Sequence, residues 1–256
     1  MKIKKIKLLK SKVVVYFDNE KMELDKEVYP NFYLYEGKEI SKKEYNQIKE
    51  LNNISKFLNY ALRIRQKAIY SEFQIREKLY NKSASKKEVD KVIKFMKEYD
   101  LIDDNAFAHD CVEYYNSKNF GENKIKRKLS EKGIFQNQID KLSFPITKER
   151  KKAKAILPKF EKKYEKYNYV QKKAHIYNAY LNEGFNESIA KDMVSLLEEA
   201  SPKEENDKLK KDFDKVYLRH KRKYQGKELK QKTINSLLQK GYRLNDILKL
   251  MEAKKI

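Results

Sequence analysis

The chain has 256 residues, 38% of them charged, and a formal net charge of +22. Such a surplus favours a polyanionic partner, either nucleic acid or a protein that carries it. A single Cys excludes an internal disulfide and fits a reducing compartment, and no apolar stretch approaches the roughly 20 residues that span a bilayer. We therefore expect a soluble, cytoplasmic protein that does not enter membranes.

The origin of the charge has two interpretations that the sequence leaves open. Lys outnumbers Arg by 52 to 8, and Asn, Ile and Tyr are abundant, as the codon usage of an AT-rich genome would produce. On this interpretation part of the charge is a solvated surface with no binding role. The other interpretation, which we favour, is a functional basic surface.

The first residues predict a small antiparallel sheet or hairpin. Residues 3–9 and 13–17 are β-favouring runs, and Asp18, Asn19 and Glu20 form a turn before a third short run at 22–24. A unit this small holds little core, so we expect it to pack on the helices that follow.

Helix starts are marked by Ser followed three residues later by Glu or Gln, a pattern in which the two side chains cap each other's backbone amides. We expect the first of these helices to end near Leu51 and a new helix to begin near Ser55. The pattern occurs at Ser41/Glu44, Ser71/Gln74 and Ser85/Glu88.

One short motif recurs along the rest of the chain. It consists of Leu, three residues, Gly and an apolar residue, with a further apolar residue in the next helix. Gly at this place supplies the left-handed residue that ends a helix. The Gly position is occupied by Ser83, Gly133, Gly184 and Gly241, which are spaced by 50, 51 and 57 residues.

These copies predict a mainly α protein, built from tandem three-helix repeats that stack into an elongated curved rod. A joint at Ser201 and Pro202 separates the last two repeats, because Pro disfavours a helical residue before it. The predicted parts are an N-terminal extension (1–53), repeat one (54–102), repeat two (103–144), repeat three (145–200) and repeat four (201–256).

Two segments within residues 101–134 carry a resemblance to a known family, the bacterial RecX proteins. Leu101-Ile-Asp-Asp-Asn-Ala-Phe-Ala108 resembles the family's segment [LY]-[IL]-[DN]-D-x-x-[FY]-A, and residues 121–134 resemble G-x-x-[KR]-I-x-x-x-L-x-x-K-G-[IV]. The N-terminal strands resemble the extension of Firmicutes-type members. Residues 1–140 carry most of the likeness, and the remainder carries it only through the repeats.

The first repeat follows the family pattern with two departures. Ala61, Leu62, Ser71, Lys78 and Leu79 match it. Ala68 stands where Arg is common, so one basic contact of the family is not carried over, and Gln74 replaces the usual capping Glu.

The resemblance implies a non-catalytic regulator without cofactor or metal. RecX-like proteins bind the groove of RecA filaments on single-stranded DNA and usually inhibit ATP hydrolysis and strand exchange. The expected partners are thus the RecA filament and single-stranded DNA, and we expect this chain to act as a monomer.

Candidate contact residues are basic side chains on predicted outer faces, where the alternative is a solvated surface. In repeat four they lie near Tyr217 and Tyr224, which suggests phosphate contact with ring stacking. Segment 201–256 is the most basic, with 17 Lys/Arg against 8 Asp/Glu. The candidates are Arg65, Arg76 and Lys78 in repeat one, Lys124, Lys126, Arg127, Lys128 and Lys132 in repeat two, and Arg219, Lys221, Arg222 and Lys223 in repeat four.

No constellation of catalytic or metal-binding residues is found. His109 and Cys111 lie close in sequence, but no second pair completes a metal site, and two residues apart on a helix their side chains diverge. We expect Cys111 to be a core thiol and most Tyr to belong to the core and its rim. A stand-alone nucleic-acid-binding module remains the alternative to the filament regulator, and an enzyme is disfavoured.

Overall fold

The computed structural model describes residues 1–256 and begins with a three-stranded antiparallel sheet in the order β1-β2-β3. The strands are β1 (Lys5–Leu8), β2 (Lys12–Tyr16) and β3 (Lys21–Asp25). Val13 of β2 pairs with Leu8 and Leu24, and the sheet's inner side chains pack with Ile40 and Ile48 in one core. The predicted N-terminal sheet is confirmed.

A short 3-10 helix (Tyr29–Phe32) follows the sheet, and twelve α-helices follow it. They form tandem groups of three, as the repeats predict, although α6 has only one turn. The helices are α1 (Lys42–Arg65), α2 (Glu72–Tyr80), α3 (Lys86–Glu98), α4 (Asp104–Ser117), α5 (Glu122–Glu131), α6 (Gln136–Ile139), α7 (Ile146–Lys163), α8 (Tyr169–Asn182), α9 (Glu187–Ser195), α10 (Pro202–Lys221), α11 (Gly226–Gln239) and α12 (Leu244–Ala253). None of them is both long enough and apolar enough to cross a membrane.

The expected helix break between Leu51 and Ser55 is wrong, because α1 runs through it without interruption. Asn52 explains the continuity. Its side chain is 3% exposed and holds the edge of β3, accepting from the Asp25 amide at 2.8 Å and donating to the Glu23 carbonyl at 2.7 Å. A side chain bound to the sheet does not compete for the helix's own backbone groups.

Two of the three predicted capping boxes form completely, at Ser71/Gln74 and at Ser85/Glu88. At the start of α1 the Ser41 hydroxyl accepts from the Glu44 amide at 3.1 Å, but the return bond is missing. The Glu44 carboxylate binds Lys38 at 2.8 Å instead. An ion pair with the preceding loop has thus replaced half of the capping box.

Compact regions of the chain do not follow repeat boundaries. One compact unit comprises residues 1–111 and 129–141, and the other comprises 112–128 and 142–256. Within them, repeat one, repeat three and repeat four each have a hydrophobic core of their own. The five-part division of the chain remains a proposal based on the recurring motif.

The recurring motif ends the second helix of each repeat in the same way. All four residues at the Gly position have positive φ, from +62° at Ser83 to +90° at Gly184. In each copy the amide of the next residue donates to the carbonyl five residues earlier, as in the bond from Ile134 to Leu129 at 3.1 Å. This is the hydrogen-bond pattern of a Schellman motif, so the predicted left-handed helix ends are confirmed.

In repeats one to three, the start of the second helix binds a carboxylate from the first helix of the next repeat. The Glu72 amide donates to Asp104 at 2.8 Å, the Glu122 amide to Glu149 at 3.1 Å, and the Tyr169 amide to Glu205 at 2.8 Å. We call these three contacts the junctions. Each supplies an acceptor to a helix N-terminal amide that its own helix leaves without a partner.

A second bond in each junction reaches the Schellman turn of the next repeat. The Ser71 hydroxyl donates to the Lys132 carbonyl at 2.6 Å, the Gly121 amide to the Glu183 carbonyl at 2.8 Å, and the Asn168 side chain to the Lys240 carbonyl at 2.8 Å. Each acceptor directly precedes the Gly of the motif. The Gly residues therefore lie under the incoming helix start, where a Cβ on Gly133, Gly184 or Gly241 would fall within 3 Å of Phe73, Lys124 or Val170.

A buried ion pair completes the junction between repeats two and three. Glu149 and Lys152, one turn apart on α7, are 3% and 8% exposed and bind each other. The Lys152 ammonium also donates to the Asn116 side chain and to the Phe120 carbonyl, both at 2.7 Å. The Lys152 ammonium therefore makes its ion pair and both of its hydrogen bonds within the protein.

We predict that Gly184→Ala destabilises the protein far more than Gly37→Ala. Both residues have φ near +90°, but an added Cβ at Gly37 meets nothing, whereas at Gly184 it would lie 2.3 Å from the Lys124 amide nitrogen. Gly37→Ala should cost about 1 kcal/mol for the left-handed backbone alone, and Gly184→Ala about 3 kcal/mol or more, because backbone must move. Urea denaturation of both variants measures the difference. Equal losses would show that close packing at the junction is unimportant.

We also predict that Lys152→Met lowers the free energy of unfolding by about 3 kcal/mol, since it leaves the Glu149 carboxylate buried without its cation. Lys154→Met is the matched control on the same helix. Lys154 is exposed, so its replacement should change stability by less than about 0.5 kcal/mol. A Lys152 variant as stable as the control would mean that this pair does not hold the junction.

Candidate functional site

The candidate side chains in repeat one make internal contacts. Arg65 donates from Nε to the Leu101 carbonyl at 2.7 Å. Arg76 binds Glu72 at 2.7 Å and Asp90 at 2.6 Å, and its side chain is 29% exposed. The carboxylates of Glu72 and Asp90 thus neutralise Arg76, and its side chain is partly buried within repeat one.

Burial and charge act in opposite directions on the Arg76 and Glu72 pair. Burial alone would lower the pKa of Arg76, but hydrogen bonds to Asp90 and Glu72 outweigh it and raise the pKa. Burial alone would raise the pKa of Glu72, but Lys97 and Arg76 together lower it below its ordinary 4.5. Lys78, the third candidate, lies with its ammonium 4.8 Å from the centre of the Tyr70 ring.

The candidates in repeat two are also partly committed to the fold. Lys124 binds Glu183 at 2.7 Å, lies 3.8 Å from the centre of the Phe120 ring and is 18% exposed. Lys124 thus fastens the junction with repeat three and is largely buried there, and its role as a binding contact stays a prediction. Lys126 binds Glu122 at 2.6 Å on its own helix.

The remaining candidates of repeat two lie near aromatic rings. The Lys128 ammonium is 5.8 Å from the centre of the Tyr115 ring, and the Lys132 ammonium is 5.7 Å from that of Phe107. Neither Arg127 nor Lys128 is without a partner. These side chains are thus available to a ligand only in competition with contacts inside the protein.

The repeat-four candidates differ, and we call Arg219, Lys221, Arg222 and Lys223 the basic cluster. All four are exposed at the end of α10, and no carboxylate of the described residues pairs with them. Arg219 approaches only the His220 ring, at 3.4 Å. Partial burial, together with the charges of Arg219 and Lys232, lowers the pKa of His220. Among the candidate residues, the cations of the basic cluster are therefore the least neutralised by carboxylates.

Cys111 shows no sign of nucleophilic activation. Burial raises the pKa of its thiol above the ordinary 9.0, although the Lys132 charge acts the other way. A raised pKa keeps the thiol protonated and weakly reactive. The side chain is partly buried rather than fully buried, so Cys111 lies at the rim of the core that we predicted for it.

One feature that the sequence patterns did not single out is a group of rings in repeat three. Tyr164, Tyr167 and His175 meet beside the turn between α7 and α8, with ring centres 4.2 to 6.2 Å apart. We call them the ring platform. The aromatic residue before each second helix could have indicated it, because Tyr70, Phe120, Tyr167 and Tyr224 hold equivalent places.

Known proteins resemble this chain along nearly its whole length, although no protein-family model matches it. The regulatory protein RecX of Streptococcus pneumoniae serotype 19F (strain G54) is 30% identical, with 96% of this chain and 97% of that protein covered. The regulatory protein RecX of Streptococcus sanguinis (strain SK36) is 28% identical over the same shares. The regulatory protein RecX of Listeria welshimeri is also 28% identical, over 93% of this chain and 90% of its own.

Solved structures share the fold. A crystal structure of regulatory protein RecX superposes with a TM-score of 0.64 at 22% identity, covering 76% of this chain and 98% of its own. The crystal structure of RecX from Lactobacillus salivarius gives a TM-score of 0.52 at 23% identity, covering 57% of this chain and 96% of its own. At these identities the likeness supports the helical fold.

We predict that Glu72 contributes stability that is lost in acid. Because its folded pKa lies below 4.5, the contribution is fully present above pH 4.5 and disappears as the pH falls through the lower, folded value. The difference in unfolding free energy between the parent and Glu72→Gln should therefore shrink as the pH is lowered from 6 toward 3. Melting temperatures of both proteins across this range measure it. A constant difference would show that the carboxylate's charge is not what holds Arg76 and Lys97.

Proposed function

The chain belongs to the RecX family of regulatory proteins, and from this premise we propose that it regulates RecA. It binds the groove of the RecA filament on single-stranded DNA in the cytoplasm and lowers ATP hydrolysis and strand exchange. It acts as a monomer and without catalytic chemistry. Family likeness over 96% of the chain is the observation that carries this proposal.

The basic cluster of repeat four is our choice for the contact with the filament. Its cations are exposed, whereas those of Arg76, Lys124 and Lys126 are paired with carboxylates. A cation without a protein partner loses no internal ion pair when it binds a phosphate or an acidic surface. The same charge therefore yields more binding free energy at the end of α10 than in repeats one and two.

A stand-alone nucleic-acid-binding module is the second candidate function. The observation that favours it is the same cluster, with Tyr224 beside it, because exposed cations next to aromatic rings suit single strands. The two functions differ in whether RecA is needed. Binding to bare single-stranded DNA and to a preassembled RecA filament, measured in one titration, separates them.

We predict that the parent lowers RecA's DNA-dependent ATP hydrolysis at less than one molecule per RecA subunit, and that Lys221→Gln, Arg222→Gln and Lys223→Gln together remove most of this inhibition. Gln replaces the charges because it is a good helix former and because Glu would oppose the dipole at the end of α10. If the lost contacts are phosphates of a single strand, log K against log salt should become shallower by about 2, at about 0.7 per phosphate.

A matched control removes three charges elsewhere, at Lys42, Lys43 and Lys49, which are exposed on α1. This control variant should inhibit RecA as strongly as the parent does. A loss of inhibition in the cluster variant could then not be explained by the lower net charge alone. Circular dichroism must show the same helix content in all three proteins. Equal inhibition by the cluster variant and the control would move the contact away from repeat four. A parent that leaves RecA unaffected would overturn the filament proposal.

A further inference from the structure

We propose that the ring platform, Tyr164, Tyr167 and His175, is a stacking site for unpaired nucleotide bases, with the lysines around it holding the adjacent phosphates. The inference deepens the proposed function, since it adds a base contact to the charge contact of repeat four. It can nevertheless be tested without RecA.

The three rings form a compact cluster that contains one nearly parallel pair. The Tyr164 and His175 rings lie nearly parallel, with an interplanar angle of 10° and centres 5.3 Å apart. The Tyr167 ring lies 4.2 Å from the His175 ring at 45° and 6.2 Å from the Tyr164 ring, so the three ring centres form a triangle. Flat, partly exposed π-faces are what single-stranded nucleic-acid-binding proteins offer to successive bases.

Packing of the repeat does not account for all three rings. Tyr164 rests on the core of repeat three, but Tyr167 and His175 are not part of that core. No hydroxyl or ring nitrogen of the three makes a hydrogen bond within the protein, whereas the buried Tyr180 donates to the Ala153 carbonyl at 2.8 Å. The polar edges of the platform are thus left for solvent or a ligand.

The turn that carries the platform is held in place before any ligand arrives. The Tyr167 amide donates to the Tyr164 carbonyl at 3.2 Å. The next residue, Asn168, caps α8 and also binds the Lys240 carbonyl of the third junction. A ring fixed by such bonds loses little further freedom when a base stacks on it, which favours binding.

The charge around the platform is that of a phosphate-binding surface. Segment 159–175 contains six Lys and two Glu, a net charge of +4. The ammonium groups of Lys163 and Lys166 lie 5.2 Å from the centres of the Tyr164 and Tyr167 rings. Neither lysine pairs with a carboxylate of the described residues. A phosphate between successive stacked bases would find these two cations at the rim.

Repeat four carries a related arrangement at the equivalent turn. Tyr224 precedes the second helix there as Tyr167 does in repeat three, and Lys232 is eight residues further on, as His175 is. The Lys232 ammonium lies 5.5 Å from the centre of the Tyr224 ring, and the His220 ring lies 5.9 Å away. This turn directly follows the basic cluster. A ring with a lysine beside it occurs at all four equivalent turns, and repeat three differs in joining three aromatic rings there.

The test compares a short oligo(dT) with a chain of the same length made of abasic sites, which keeps the phosphates and lacks the bases. Fluorescence anisotropy of labelled strands gives the affinities. We expect the parent to bind oligo(dT) about tenfold more tightly than the abasic strand. Tyr167→Leu should remove most of this preference, and Tyr167→Phe should keep it, since stacking needs the ring and not the hydroxyl.

Tyr99→Leu is the matched control, because Tyr99 is a tyrosine 63% exposed that leans on Phe95 in repeat one. It should keep the parent's preference for bases. A second readout needs no variant: the His175 ring proton signals in an NMR spectrum should move on adding oligo(dT) but not the abasic strand. With three His in the chain, His175→Gln identifies the signal.

Equal affinity of the parent for both strands would overturn the inference, as would a folded Tyr167→Leu variant that retains the preference, or a loss of equal size in Tyr99→Leu. These outcomes are separate from those of the proposed function. A parent that slows RecA but ignores bases refutes the ring platform alone. A parent that prefers bases but leaves RecA unaffected refutes the filament proposal alone.

Discussion

The repeat architecture depends on the hydrogen bond that each second helix donates to a carboxylate of the next repeat. The first amides of a helix have no partner within it, and burying one without an acceptor costs about 1–3 kcal/mol. Asp104, Glu149 and Glu205 supply that acceptor at three successive junctions. Each repeat therefore completes the one before it. The need for this contact explains why a three-helix unit too small to be stable alone occurs in tandem.

Ser83 and the start of α11 lack the close contact that a junction makes at the other repeats. The Schellman turn of repeat one has no helix start of an earlier repeat packed against it. Ser83, rather than Gly, occupies the left-handed position there at φ +62°. The start of α11 makes no such bond to a carboxylate. Its N-cap Gln225 makes no side-chain capping bond, and a Cβ on Gly226 would meet nothing. The position before the first repeat is taken by β3, whose edge Asn52 of α1 binds.

Features governed by local sequence could be predicted, and features governed by distant partners could not. The strands, two complete capping boxes and the left-handed helix ends follow from residues within one turn of each other. The continuity of α1 depends on Asn52 reaching β3, about 27 residues earlier in sequence. The role of Lys124 depends on Glu183, 59 residues later. In sequence, Glu149 and Glu205 resemble any other surface acid, so no local pattern marked the junctions.

The candidate site was harder to predict than the fold because a count of lysines does not show where carboxylates neutralise them. Arg76 and Lys124 stand in basic stretches, yet each is balanced by an acid brought from another helix. Cations without a carboxylate partner occur at the turns that follow α7 and α10, beside Tyr167 and Tyr224. Both turns come immediately before a second helix. The first residues of α8 are held by a junction, whereas the start of α11 has no such bond. The contacts that hold the repeats together thus also decide which basic groups remain exposed. A net charge of +22 therefore says less about a binding surface than the position of each carboxylate that is brought beside a lysine.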